Sequence, residues 1–195
     1  MPPHIYLASR SPRRAELLQQ MGIRFSVLPS DIDESQLPDE LPAAYVMRLA
    51  RSKAEVCRDS LDSGEQPFLP VLAADTTVSV DGVILGKPVD ADEARSMLRQ
   101  MSGRWHEVLT GLAVATQGTV EALLNVTRVQ MAELTPAEIE AYIASGEPFD
   151  KAGAYGIQGL AGTFIKRIEG SYSGVMGLPI FETAQLLKSA GIRIL

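Results

Sequence analysis

Two arginines at the start of a helix are the first candidates for chemistry in this chain. In Leu7-Ala8-Ser9-Arg10-Ser11-Pro12-Arg13-Arg14 an apolar run at residues 5–8 meets a stretch that reads as a tight turn followed by a helix. Ser11 suits the N-cap and Pro12 the first helical position, and Leu17, Leu18 and Met21 recur at helical spacing before Gly22 offers a stop. Arg13 and Arg14 therefore fall in the first turn. Unpaired N–H groups and the helix dipole already make that end positive, so a further cation there is unfavourable by roughly 0.3 to 1 kcal/mol. A bound anion reverses the sign: the free N–H groups, two guanidinium forks and the hydroxyls of Ser9 and Ser11 would cradle a phosphate. The plainer alternative leaves both arginines in solvent or paired with a carboxylate such as Glu16.

Other groups of the same kind are scattered along the chain. Lys53 and Lys87 add cations, Glu34 and Asp75 add carboxylates with Asp33 beside the first, and Gly153, Gly156, Gly159 and Gly162 surround Gln158. Together they supply donors for phosphate and a wall that backbone could bring close to a ligand. They also supply ligands for magnesium or manganese, which bind through one or two carboxylates plus substrate phosphates. Metal and cations would neutralise a phosphate chain, while Asp75 could orient or deprotonate an attacking water. Each residue also has a purely structural reading: Asp75 as a hairpin hydrogen-bonder, Glu34 as a solvated turn residue, Lys87 as a loop charge, the glycines as a packing bend. The chain has no G-x-x-x-x-G-K-[ST], no G-x-G-x-x-G and no H-E-x-x-H, and Gly170-Ser171-Tyr172-Ser173-Gly174 misses G-x-S-x-G at its centre. Kinase, dehydrogenase, zinc-protease and serine-hydrolase readings thereby lose their usual support.

The elements that must position these groups can be read from periodicity. After the first strand and helix, residues 23–28 form a short strand leading into an acidic turn at 31–34. Residues 42–59 read as a helix with Tyr45, Val46, Leu49, Ala50, Val56 and Cys57 on one face. Lys53 lies on that face, where it either snorkels outward or faces an anion. Residues 62–70 read as a loop. Val71-Leu72-Ala73-Ala74 does not alternate, so it predicts a strand buried on both faces, closed by Asp75. The carboxyl end of such a strand is where open α/β sheets place their ligand crevices. A hairpin over 76–85 turns at Asp81-Gly82, and Asp90 with Glu93 caps a helix to Met101. Strands follow at 105–115 and 120–131, then a helix from Thr135-Pro136 stopped by Gly146. Residues 150–162 read as a loop or bent strand, 163–168 as a strand, 170–177 as a loop, and a final helix ends near Gly191. Hairpins among alternating strands and helices predict a mixed sheet.

Composition sets outer bounds. A length of 195 residues suits one domain, or two small lobes sharing one sheet. The net charge of −6 argues against broad binding to nucleic acid, which needs an extended basic surface. Cys57 is the only cysteine and His4 and His106 are far apart, so an internal disulfide is excluded and zinc ligands are scarce. No apolar run approaches the roughly 20 residues of a membrane span, and no signal-peptide pattern opens the chain, so no membrane is expected and the cytoplasm is the default location.

Several of these stretches also resemble a known family. Leu7 to Arg14, Glu34, Ala50-Arg51-Ser52-Lys53-Ala54, Ala74-Asp75-Thr76, Gly86-Lys87-Pro88, Met101-Ser102-Gly103 and Asp150-Lys151-Ala152-Gly153-Ala154-Tyr155-Gly156-Ile157-Gln158-Gly159 occur in the order found in Maf proteins, which are nucleoside triphosphate pyrophosphatases. The resemblance spans nearly the whole chain. It implies an α/β fold with a long mixed twisted sheet flanked by helices, two lobes with a central cleft similar to the inosine triphosphatase architecture, and a homodimer. It further implies hydrolysis of a nucleoside triphosphate to the monophosphate and pyrophosphate with a divalent cation. Asp75 resembles the catalytic proton acceptor, and Ser9, Arg13, Arg14, Glu34, Lys53 and Lys87 resemble the phosphate and metal pocket. Arg13, Thr76 and Gln158 resemble the specificity positions of the branch acting on dTTP and UTP. Alternatives are a branch preferring 7-methyl-GTP and a nucleotide-sensing regulator of septum formation.

Overall fold

Val71 to Ala74 carries apolar side chains on both faces, so a strand built from it must be covered on both sides. The computed structural model describes residues 4–62 and 67–194, and this strand lies inside its sheet. In chain order the elements are β1 (Ile5–Leu7), α1 (Pro12–Gln20), β2 (Phe25–Val27), α2 (Pro42–Asp62), β3 (Val71–Val80), β4 (Val83–Leu85), α3 (Ala91–Met101), β5 (Trp105–Ala115), β6 (Val120–Met131), α4 (Pro136–Ala144), β7 (Ile165–Glu169), α5 (Tyr172–Val175) and α6 (Ile180–Ser189). The loop expected at 62–70 lies partly outside the described residues. The strands run β2-β1-β3-β5-β6-β7, with β4 also on β3. β1 is parallel to β2 and β3, and the other pairings are antiparallel, so the sheet is mixed as expected.

Local chemistry accounts for most element ends. Ser11 caps α1, Asp90 caps α3, and Thr135 with Glu138 forms a capping box for α4. The β3–β4 hairpin turns at Asp81 and Gly82, whose φ values of 51° and 82° give the two left-handed positions of a type I′ turn.

Two expectations need correction and a third is decided between its alternatives. β3 does not end at Asp75: Thr76, Thr77 and Val78 are β-branched, suit a pleated strand and pair onward with β5, so Asp75 is mid-strand. At 150–162 the bent-strand alternative fails and the loop alternative holds, wound into 3-10 turns at Ala152–Ala154 and Leu160–Phe164 after one at Glu147–Asp150. The stretch at 170–177 is not all loop, because Ser171 caps the single-turn helix α5.

Alternation along β3 decides what each face meets. Val71 and Ala73 pack with Ala50, Ala54 and Cys57 of α2, whereas Leu72 and Ala74 pack with Leu17 and Leu18 of α1 and Leu186 and Leu187 of α6. By the same parity Asp75 faces α2 and Thr76 faces α1. α2 lies directly against the sheet at Gly111, the β5 partner of Asp75: a Cβ on Gly111 would stand 2.4 Å from the Val46 carbonyl oxygen. Any side chain there would lift the helix that carries Lys53. A separate buried cluster joins α3 and α4 to the far ends of β3, β5 and β6.

Candidate active site

One edge of β3 is incomplete. β1 pairs only with Val71 and Leu72, and β4 begins pairing only at Val78. Between them no strand lies alongside β3, so side chains from both faces, Asp75 from one and Thr76 from the other, meet around the end of β1. α1 starts just beyond that end.

On the α2 side, Lys53 and Asp75 are 9% and 7% exposed, and Lys53 Nζ donates to Asp75 Oδ1 at 2.7 Å. The snorkelling alternative therefore fails. Helical side chains lean toward the N-terminus of their helix, which carries the Lys53 ammonium inward over β3 rather than to the far end of α2. The same ammonium is 2.6 Å from Glu34 Oε1, whose segment is tied to α2 by the Tyr45 hydroxyl donating to the Glu34 carbonyl at 2.9 Å. Burial pushes the Asp75 carboxyl above its ordinary value, against the pull of Lys53 and then Arg14.

On the α1 side, Arg14 turns back over β1. Its Nε donates to the Gly177 carbonyl at 2.8 Å, Nη1 to Ser9 Oγ at 3.1 Å and Nη2 to Thr76 Oγ1 at 3.2 Å. All three acceptors are neutral, and among the described residues no carboxylate stands within ion-pair distance of it. Burial pushes its pKa down, opposed by the field of Asp75. A guanidinium held this way retains its charge for an incoming anion.

The remaining expected residues are less tightly gathered. Arg13 reaches Asp150 at 3.9 Å, a half-exposed pair of little energetic weight. Lys87 is exposed beyond β4 and has no ion-pair partner among the described residues, although the neighbouring Gly86 carbonyl accepts from Gly153 N at 2.9 Å. Gln158 is exposed and lines a cavity of about 360 Å³ with Leu17, Gln20, Tyr172, Ser173, Met176 and Ile180. Leu17 and Gln20 follow Arg13 at helical spacing, so this cavity runs along the α1 face that Arg13 heads. Asp33 stands apart, its carboxylate accepting from Ser35 N at 2.8 Å in an exposed turn.

As a metal site, the cluster offers the carboxylates of Glu34 and Asp75, both within ion-pair distance of one ammonium. Among the described residues no group of three or more His, Cys, Asp and Glu could hold a metal. Two hard oxygen donors fit a magnesium-like ion that completes its shell with phosphate and water, and do not fit zinc. Sequence reasoning missed Thr110, Gly174 and Gly177. Thr110 is fully buried behind Thr76, and the two glycines act through carbonyls that no residue type reveals. Among the described residues no helix is long and apolar enough to cross a membrane.

Comparison with known proteins adds relatives of high similarity. The family described as Maf-like protein matches residues 4–190. A dTTP/UTP pyrophosphatase of Methylobacillus flagellatus is 62% identical over 190 residues, covering 97% of this chain and 94% of the relative. Proteins of the same name from Chromobacterium violaceum and Bordetella parapertussis are 56% and 55% identical, covering 97% and 99% of this chain and 96% and 95% of their own lengths. Among solved structures, the Staphylococcus aureus Ham1 protein overlaps 66% of this chain and 72% of that chain at 12% identity with a TM-score of 0.48, too loose a match to inform the site.

Proposed function

The chain belongs to the Maf family, and on that premise we propose that it is a nucleoside triphosphate pyrophosphatase that converts dTTP and UTP to the monophosphate and pyrophosphate. The names of its relatives support the substrate. The observation that carries the chemistry is the meeting of Lys53, Asp75 and Glu34 with an Arg14 that has only neutral partners, all in the gap along β3.

Arg14 and Ser9 grip the phosphate chain at the N-terminus of α1, with Arg13 closing on it from the first turn of the same helix and Lys87 from the loop after β4. A magnesium or manganese ion held by Glu34, Asp75 and phosphate oxygens would neutralise charge on the departing pyrophosphate. Asp75 accepts the proton of the attacking water. As the new O–P bond forms, the bridging bond between the α and β phosphates breaks and its electron pair leaves with pyrophosphate. The raised pKa of Asp75 suits a general base, since a stronger base accepts the proton more readily. Lys53 keeps that carboxylate charged and aimed. The nucleoside then lies along α1 toward the cavity of Gln158, whose amide offers a donor and an acceptor to the two carbonyls and N–H of uracil or thymine. A homodimer and a cytoplasmic location belong to the same proposal and rest on the resemblance and the composition alone.

Incubation with UTP and magnesium, with products separated by ion-exchange chromatography, tests it. UMP plus pyrophosphate is expected; UDP plus phosphate would overturn the assignment. Asp75→Asn should abolish turnover, and full activity in that variant would show that the base lies elsewhere.

A further inference from the structure

Thr110 is fully buried on β5, directly opposite Thr76 in the β3–β5 register. Its hydroxyl lies 3.0 Å from the Gly174 carbonyl, which can only accept, so its one proton is committed there. Thr76 Oγ1 lies 2.9 Å from Thr110 Oγ1, and with the Thr110 proton committed Thr76 must be the donor. Thr76 in turn accepts from Arg14 Nη2. The direction of the chain is thereby set: Arg14 N–H to Thr76, Thr76 O–H to Thr110, Thr110 O–H to Gly174.

A second arm ends on the same segment, where Arg14 Nε donates to the Gly177 carbonyl. That segment is itself held, because Ser171 N donates to Thr127 Oγ1 at 2.9 Å and Ser171 Oγ accepts from Gly174 N at 3.0 Å. Of the five guanidinium N–H groups, three are spent on neutral acceptors and one remains on each terminal nitrogen. Those two form a fork whose aim depends on Thr76 and Gly177.

We propose that Thr110 is a positioning residue for Arg14, and that Thr76 governs substrate binding through this relay and the phosphate chain, not by touching the base. This rests on the pyrophosphatase reading only in calling the anion a nucleotide's phosphates. Thr76 has no proton left to donate to a base carbonyl. Its loss frees the fork that grips every triphosphate alike.

The test uses a ligand without a base, inorganic tripolyphosphate, alongside UTP, with binding measured by calorimetry so that no turnover is needed. Thr110→Val keeps the shape and removes the hydroxyl. It should weaken tripolyphosphate and UTP by the same factor, about fivefold to tenfold for a misdirected hydrogen bond to a charged group. Thr110→Ser, which keeps the hydroxyl, should restore most of the loss, whereas a merely structural role would leave Ser no better than Val. Thr76→Val should act like Thr110→Val, and the double variant should be little worse than either, because both break one chain. The proposal is overturned if wild type does not bind tripolyphosphate, if Thr110→Val binds it normally, or if Thr76→Val weakens UTP alone. Wild type that binds both ligands but never cleaves UTP would sink the pyrophosphatase reading and leave the relay intact.

Discussion

Lys53→Met is the most informative single change, because it keeps the side-chain stem and removes the ammonium between Glu34 and Asp75. Removing one partner of a buried pair costs about 3–5 kcal/mol, since the other charge is left uncompensated. Asp75 has one escape, which is to take up a proton. Holding that proton at pH 7 costs about 1.4 kcal/mol for each unit above its ordinary value of 3.8, so the loss is capped at about 4 kcal/mol. The sign of the pH dependence follows. The carboxyl titrates above 3.8 in the folded protein already, and losing Lys53 raises it further, so the folded variant binds more protons than the unfolded chain. Its stability therefore falls as pH rises through the window between 3.8 and the raised folded value, and levels off above it.

Urea unfolding of wild type and variant at several pH values between 5 and 8 reads this directly. The deficit of Lys53→Met should be largest at pH 7 to 8 and shrink toward pH 5. Adding Asp75→Asn should recover much of the stability at pH 7 while leaving the enzyme inactive, because an amide needs no counterion and accepts no proton from water. A variant as stable as wild type at pH 7, with a difference that does not move with pH, would refute the buried-pair reasoning.

Two further outcomes follow from other parts of the structure. His106 is buried against the Tyr155 hydroxyl and its pKa is pushed down to about 4 by burial, below 6.5 in the unfolded chain. The unfolded chain then binds the extra proton, so about 3 kcal/mol of stability present above pH 6.5 should be lost as pH falls toward 4; His106→Gln should flatten that part of the urea-denaturation profile. Gly177 has φ +105° and a Cβ there would stand 3.4 Å from Thr76 Oγ1 and 3.5 Å from Arg14 Nε. Gly177→Ala should destabilise the fold by about 1–3 kcal/mol, seen in urea unfolding, and lower kcat/KM for UTP by at least about tenfold through Arg14.

What could be read from the sequence was what local chemistry decides. Ser11 with Pro12, Asp90 with Glu93, and Thr135 with Glu138 mark helix starts because a cap bonds its own first turn, and the structure places α1, α3 and α4 there. Asp81-Gly82 marks a hairpin for the same reason. The apolar run that ends at Ala74 reads as a strand end at Asp75, yet β3 goes on pairing with β5 as far as Ser79; the run ends where side chains turn to the site, in the stretch that β1, paired only through Leu72, leaves uncovered. Lys53 was undecidable from its position on the apolar face, since a long flexible stem allows either outcome and only Asp75, 22 residues on, selects one. Thr110 carried no signal at all. A threonine inside a strand is ordinary, and its importance comes from facing Thr76 across the β3–β5 register.

That register also explains why the site lies where it does. Consecutive residues of a strand point to opposite faces, so Asp75 and Thr76 on a fully paired strand would be separated by the sheet itself. Here β1 ends after Leu7 and β4 begins pairing only at Val78, which leaves a window of a few residues along one edge of β3. Lys53 and Glu34 approach Asp75 from the α2 side, while Arg14 approaches Thr76 from the α1 side. Arg14 still lies close enough for its charge to act on the Asp75 carboxyl. A one-residue slip of β3 against β5 would exchange the faces and put Asp75 beside Arg14's neutral acceptors and Thr76 beside Lys53. Register in this sheet therefore sets the electrostatics of the site, and Gly111, which lets α2 lie directly against the sheet beside Asp75, helps to maintain it.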